Sequence, residues 1–148
     1  MDHLETGLNK QLGFINVFDS ADEVHLDMPV TEQVMQPFGF LHGGATLTLL
    51  EACASRGAQL HCNMETHLPF GTHIDVHHVK SCKAGTVHGM ARLINEEDLG
   101  ERGTRQTWQV EASDDAGDLL STGVFVSHVV PLEYLRAKES ASIKPIEK

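Results

Sequence analysis

Residues 35–57 read MQPFGFLHGGATLTLLEACASRG, and the point at which this stretch changes character decides the fold. Its first half carries Pro37, Gly39, Gly43 and Gly44 and resists any regular element, because proline lacks an amide donor and glycine is costly to order. From Ala45 to Leu60 there is no proline, the residues are mostly good helix formers and Gly57 is the single breaker, which predicts a helix of roughly four turns. That helix is apolar almost all round, which predicts burial on most sides. One carboxylate, Glu51, interrupts it.

Working outward, Leu4, Leu8 and Leu12 fall at helical spacing and predict a short helix over 2–11. FINVFDSADEVHLDMPV (14–30) then reads as two strands turned by DSAD. Beyond the long helix, a loop around CNMETHLPFG leads to four stretches rich in Val, Ile, Thr and His, at 71–80, 86–96, 105–114 and 119–130. Turns at KAG, LGERG and DDAGD separate them, the pattern of an antiparallel meander. The order predicts an α+β domain in which one long central helix is wrapped by a curved antiparallel sheet. The domain is expected over 1–138, with the polar tail 139–148 disordered.

A length of 148 residues suits one domain. With 11 basic against 21 acidic residues the formal net charge is -10. This argues against nucleic acid or an anionic membrane surface as a partner, since both need clustered Lys and Arg. Cys53, Cys62 and Cys82 are odd in number without CxxC spacing, MDHLETGLNK lacks the apolar core of a secretory signal, and no apolar run approaches a membrane span. A cytoplasmic protein with reduced thiols is expected.

Several residues point to chemistry. A glutamate buried among aliphatic groups holds a proton more readily, which suits Glu51 to general-base work. Ser55 lies four positions on, on the same helix face, where its hydroxyl can hold a water or the carboxylate. Gly43 and Gly44 at the helix start allow a ligand close to free amides carrying partial positive charge, as an oxyanion hole requires. His42 precedes Glu51 by nine positions, about 900° of rotation and about 13 Å of rise, so one helix does not bring the two together. A site using both is then assembled between two subunits. His73, Asp75 and His77 alternate along one strand face, but VKSCKAG follows where a further carboxylate ligand is needed, so no metal is expected. There is no GxSxG elbow. Trp108 and the Phe residues suit a core or acyl pocket better than a nucleic-acid platform, given the acidic charge.

QPFGFLHGGATLTLLEACAS (36–55), GTHIDVHHVK (71–80) and RQTWQVEASDDAGDLLSTGVFV (105–126) together resemble the hotdog-fold acyl-CoA thioesterases. The nearest branch is the bacterial one acting on aromatic thioesters, which includes the 1,4-dihydroxy-2-naphthoyl-CoA hydrolases of menaquinone synthesis and the enterobactin proofreading thioesterases. The resemblance spans about residues 10–130 and is most specific at Gln36, His42, Gly43, Glu51 and Ser55, which it implies as the catalytic set. A sister branch carries Asp where Glu51 stands. For CoA the resemblance implies Gly71, His78, Val79, Lys80, Ser81 and one of Arg102 or Arg105. The chain departs from the family in reading His77, His78, Val79 and Lys80 where His-His-Arg-Pro is frequent, and in extra length between Gly89 and Trp108, so that GER or GTR answers to the CoA-contacting turn.

The implied reaction is acyl-CoA plus water giving acid and CoA. The resemblance implies that Glu51 serves as base or nucleophile, that no cofactor is needed, and that the enzyme is a homodimer or a homotetramer built as a dimer of dimers. The rival readings are a thioesterase for medium or long aliphatic acyl-CoA and a hotdog domain that binds acyl-CoA without turnover.

Overall fold

The computed structural model describes residues 3–142. Helix α1 (Gly7–Gln11) leads into the hairpin β1 (Ile15–Asp19) and β2 (Glu23–Pro29). A single 3-10 turn (Glu32–Val34) and an irregular loop then deliver the chain to α2 (Gly43–Leu60). Four strands follow, β3 (His67–His78), β4 (Thr86–Asp98), β5 (Thr104–Ser113) and β6 (Leu119–Pro131), with a second 3-10 turn (Gly100–Arg102) between β4 and β5. Helix α3 (Leu132–Ser142) closes the described chain.

Alternation along the strands creates the core. Val24, Leu26 and Met28 of β2, Val87 and Ala91 of β4, Trp108, Val110 and Ala112 of β5 and Phe125 of β6 all point to one face. There they meet Leu49, Leu50, Cys53 and Ala54 of α2. Burying each large side chain is worth about 1.5–3 kcal/mol, which fixes the helix against the sheet. Gly57 is no breaker: a Cβ there would lie 2.3 Å from the Trp108 ring, so its absence lets the indole lie against the helix. The same burial pushes the Cys53 thiol up to about 12.

The expected hotdog architecture, an α+β domain with one helix wrapped by an antiparallel sheet, is borne out, with strand order β1-β2-β4-β5-β6-β3. The simple four-strand meander is not. β4, β5 and β6 form it, whereas β3 crosses over to pair with β6 at the far edge and begins at His67, inside the expected loop. The reason is that β3 must pass the open side of α2, placing its inward residues opposite Phe125 and Ser121 of β6. The expected N-terminal helix is confined to Gly7–Gln11, with residue 2 outside the described residues. Of the tail expected to be disordered, 139–142 continue α3, and 143–148 lie outside the described residues. Among the described residues no helix is long and apolar enough to cross a membrane.

Candidate active site

The site starts where α2 starts. His42 caps the helix with an extended backbone, φ -71° and ψ 124°, and its Nδ1 accepts the Gly44 amide at 2.8 Å. Its carbonyl takes the Ala45 and Thr46 amides. Counting rotation and rise from His42 to Glu51 treats His42 as near-helical, and the structure corrects this, since a capping side chain needs an extended backbone to turn back on the helix. The Gly43 amide has no hydrogen-bond acceptor among the described residues, which leaves one donor at the positive end of a helix of 18 residues.

His78, at the end of β3, packs against this glycine: a Cβ on Gly43 would sit 2.7 Å from its Nε2. The His78 Nδ1 is 2.8 Å from the Ser121 hydroxyl, which is buried on β6. Around them lies a cavity of about 490 Å³ whose wall includes Gln36, Phe40, Gly43, Val79, Lys80 and Ser81. One catalytic pair from the sequence and four of the expected CoA contacts thus share one cavity. Gln36 is half-buried there and orders its own loop, its Oε1 accepting the Phe38 amide and its backbone N–H bonding the Phe40 carbonyl at 2.8 Å. Lys80 reaches across to the β5–β6 turn, its Nζ 2.7 Å from Asp114 and 2.6 Å from Asp118. Those two carboxylates hold the ammonium well above the ordinary lysine range, and Lys80 in turn holds Asp114 low.

Glu51 is elsewhere. From Gly43 to Glu51 is about 12 Å along the axis, and the carboxylate faces Gly71, where a Cβ would lie 3.0 Å from Glu51 Oε1 and 2.7 Å from Phe125. The expected burial of Glu51 is corrected: between Gly43 and Gln59 it is the one exposed residue, because Ala, Cys and Gly fill the sheet-facing side while Gly44, Thr48, Glu51 and Ser55 line an open stripe. Ser55 is half-buried one turn beyond. Gly71 makes room for Glu51 and lies outside the cavity wall that holds His78–Ser81.

Arg102 and Arg105 sit at the opposite end of the sheet, where Arg105 aligns with His128 rather than with Ser121. Arg105 pairs with Glu97 at 2.8 Å and donates to His128 Nε2 at 3.2 Å. Burial first, then the charges of Arg105 and Arg102, push His128 down. Neither arginine reaches the cavity within one chain. His73, Asp75 and His77 do share an exposed strand face, and no group of three His, Cys, Asp or Glu among the described residues is disposed to hold a metal ion. Ser121, Phe40, Asp114 and Asp118 were not singled out from the sequence. No local pattern marks them, for they reach the site only through strand pairing and turns.

Residues 38–121, more than half of the chain and spanning α2 and all of the cavity wall but Gln36, match the thioesterase superfamily. The chain belongs to that superfamily. Among its relatives, the 1,4-dihydroxy-2-naphthoyl-CoA hydrolase of Escherichia coli is 34% identical over 76% of this chain and 81% of its own length. A thioesterase of Pseudomonas aeruginosa, crystallised as a glutamine-to-alanine mutant, superposes with a TM-score of 0.79 at 26% identity, covering 87% of this chain and 89% of that one. A Staphylococcus aureus protein, solved as separate glutamate-to-alanine and glutamine-to-alanine mutants, gives a TM-score of 0.78 in both cases at 28% and 27% identity, covering 85% of this chain and all of its own. As a superfamily member the chain is a thioester hydrolase, the enzyme class implied by its motifs.

Proposed function

We propose that this thioesterase hydrolyses aromatic acyl-CoA, with 1,4-dihydroxy-2-naphthoyl-CoA of menaquinone synthesis as the first candidate, at a site shared between two subunits. The observation that carries the reading is the separation on α2 of a free Gly43 amide facing a cavity and an exposed Glu51 facing away from it. Each is half of the machinery for thioester hydrolysis, and a second copy supplies what the first lacks. β3 fits this arrangement, being an edge strand with β6 on one side and, among the described residues, no strand on the other. The same fifteen-residue spacing that separates Gln36 from Glu51 separates the glutamine and the glutamate replaced in the Staphylococcus aureus protein.

The carbonyl oxygen of the bound thioester rests against the Gly43 amide of one subunit, with Gln36 and the capped His42 holding the loop around it. Glu51 of the other subunit takes a proton from a water positioned by Ser55 as the water oxygen bonds to the acyl carbon. Negative charge gathers on the carbonyl oxygen, then the tetrahedral centre collapses, the C–S bond breaks and the CoA thiolate recovers the proton. Direct attack by a Glu51 oxygen, forming an acyl anhydride that water then opens, balances equally well. Closing the subunit interface over Glu51 removes it from water, supplying the desolvation that a single chain does not.

The test is a panel of aryl and aliphatic CoA thioesters ranked by kcat/KM. The reading expects the naphthoyl and other aryl esters to lead, and a lead for decanoyl- or palmitoyl-CoA overturns the aromatic assignment.

A further inference from the structure

The segment from His78 to Lys83 contains two cations, Lys80 in the cavity wall and Lys83 just beyond it, next to Cys82. They stand in opposite electrostatic situations. Lys80 is held by two carboxylates, and the group of Lys80, Asp114 and Asp118 sums to one negative charge, which repels a phosphate rather than attracting it. Lys83 has no carboxylate within ion-pair distance among the described residues. Its ammonium lies 4.6 Å from the centre of the Phe40 ring, and Phe40 is part of the cavity wall. The backbone here is anchored to the cavity: the Cys82 carbonyl accepts the Leu41 amide at 2.7 Å, and the Cys82 thiol donates to the Ala84 carbonyl at 3.2 Å. Lys83 is therefore carried on an anchored segment, against a ring of the cavity wall, with no carboxylate partner among the described residues. In a chain of net charge -10 a phosphate-bearing ligand depends on such a local cation.

We propose that Lys83, seated on the Phe40 ring, receives the phosphate groups of the CoA portion of the substrate, and that Lys80 instead ties the β5–β6 turn to the cavity wall. The assignment rests on the acyl-CoA reading only in taking CoA as the ligand. Binding is measured separately from turnover, by calorimetry with CoA, dephospho-CoA and pantetheine on the full chain. Lys83→Ala should weaken CoA binding about three- to fivefold, the size of one exposed charge pair, while pantetheine binding stays unchanged. Lys83→Arg should restore CoA binding, since it keeps both charge and ring contact. The double variant Lys80→Gln/Asp118→Asn keeps the local charge sum and should bind CoA as the wild type does.

An unchanged CoA-to-pantetheine ratio in Lys83→Ala, a selective loss of CoA affinity in the Lys80/Asp118 double variant, or no CoA binding by the wild type overturns the proposal. Failure of the thioesterase reading looks different: CoA binds through Lys83 and no thioester is turned over.

Discussion

The two halves of α2 are built to different degrees of completion. At its N-terminal end four polar side chains of the site have partners within the chain: His42 accepts the Gly44 amide, His78 meets the Ser121 hydroxyl, Gln36 accepts the Phe38 amide and Lys80 donates to two aspartates. The Gly43 amide there has no acceptor among the described residues. In the middle of the same helix Glu51 and Ser55 lie on an open stripe beside an edge strand, and among the described residues the Glu51 carboxylate accepts no hydrogen bond and the Ser55 hydroxyl makes none. A largely paired end and an open middle on one helix are what the proposed shared active site needs, because two copies joined along their β3 sides can set the middle of one helix against the end of the other.

The most severe way to break this contrast is to remove the reactive half. Glu51→Gln should lower kcat by about 10²- to 10⁴-fold, the usual reach of a positioned base, while leaving CoA affinity as it is at the intact binding end. Gly43→Ala, whose Cβ collides with His78, should also be nearly inactive by itself. Mixing Glu51→Gln subunits with Gly43→Ala subunits should then restore about a quarter of wild-type kcat, from the one intact site in each mixed dimer, and a mixture as dead as its parents would place both halves in one chain. A smaller effect follows from Gly71→Ala, which presses on Phe125 and Glu51 and should lower kcat about tenfold with unchanged CoA affinity. If CoA affinity falls instead, Gly71 belongs to the binding end after all.

The smallest effect concerns the turn behind Lys80. His88 bridges Asp27 and Asp115, each at 2.8 Å, and these hydrogen bonds, Asp115 first, raise its pKa above 6.5. A raised histidine stabilises the fold fully below the unfolded value near 6.5, and loses that contribution as pH rises through the higher folded value. With His88 half exposed and solvent-screened, the gain is under about 1 kcal/mol. The melting temperature of the wild type should exceed that of His88→Gln at pH 6 by more than at pH 8.5. An equal gap at both pH values removes the charge from the account.

Much of this was legible in the sequence. The alternation of Val24, Leu26 and Met28, the proline-free run after Gly44 and the turn residues at 115–118 act over a few positions, so one strand face, one helix and one hairpin follow from them directly. The exposure of Glu51 was not legible, because Ala52, Ala54 and Ser55 read as apolar or small without saying which of them meets the sheet. Nor was the fate of Lys80, whose partners lie 34 and 38 residues away on a turn brought to it by strand pairing.

By itself the sequence determined most of the elements, the helix-wrapped class of fold and the candidate residues of a thioesterase site, since local conformational preference and side-chain chemistry are properties of short stretches. The tertiary structure alone decided which of them meet. Placing β3 beyond β6 put His78 against Gly43 and Gly71 against Glu51, and it separated Arg105 from the cavity by most of the length of β5. Contacts of that kind depend on pairings between distant segments, and no short stretch of sequence carries them.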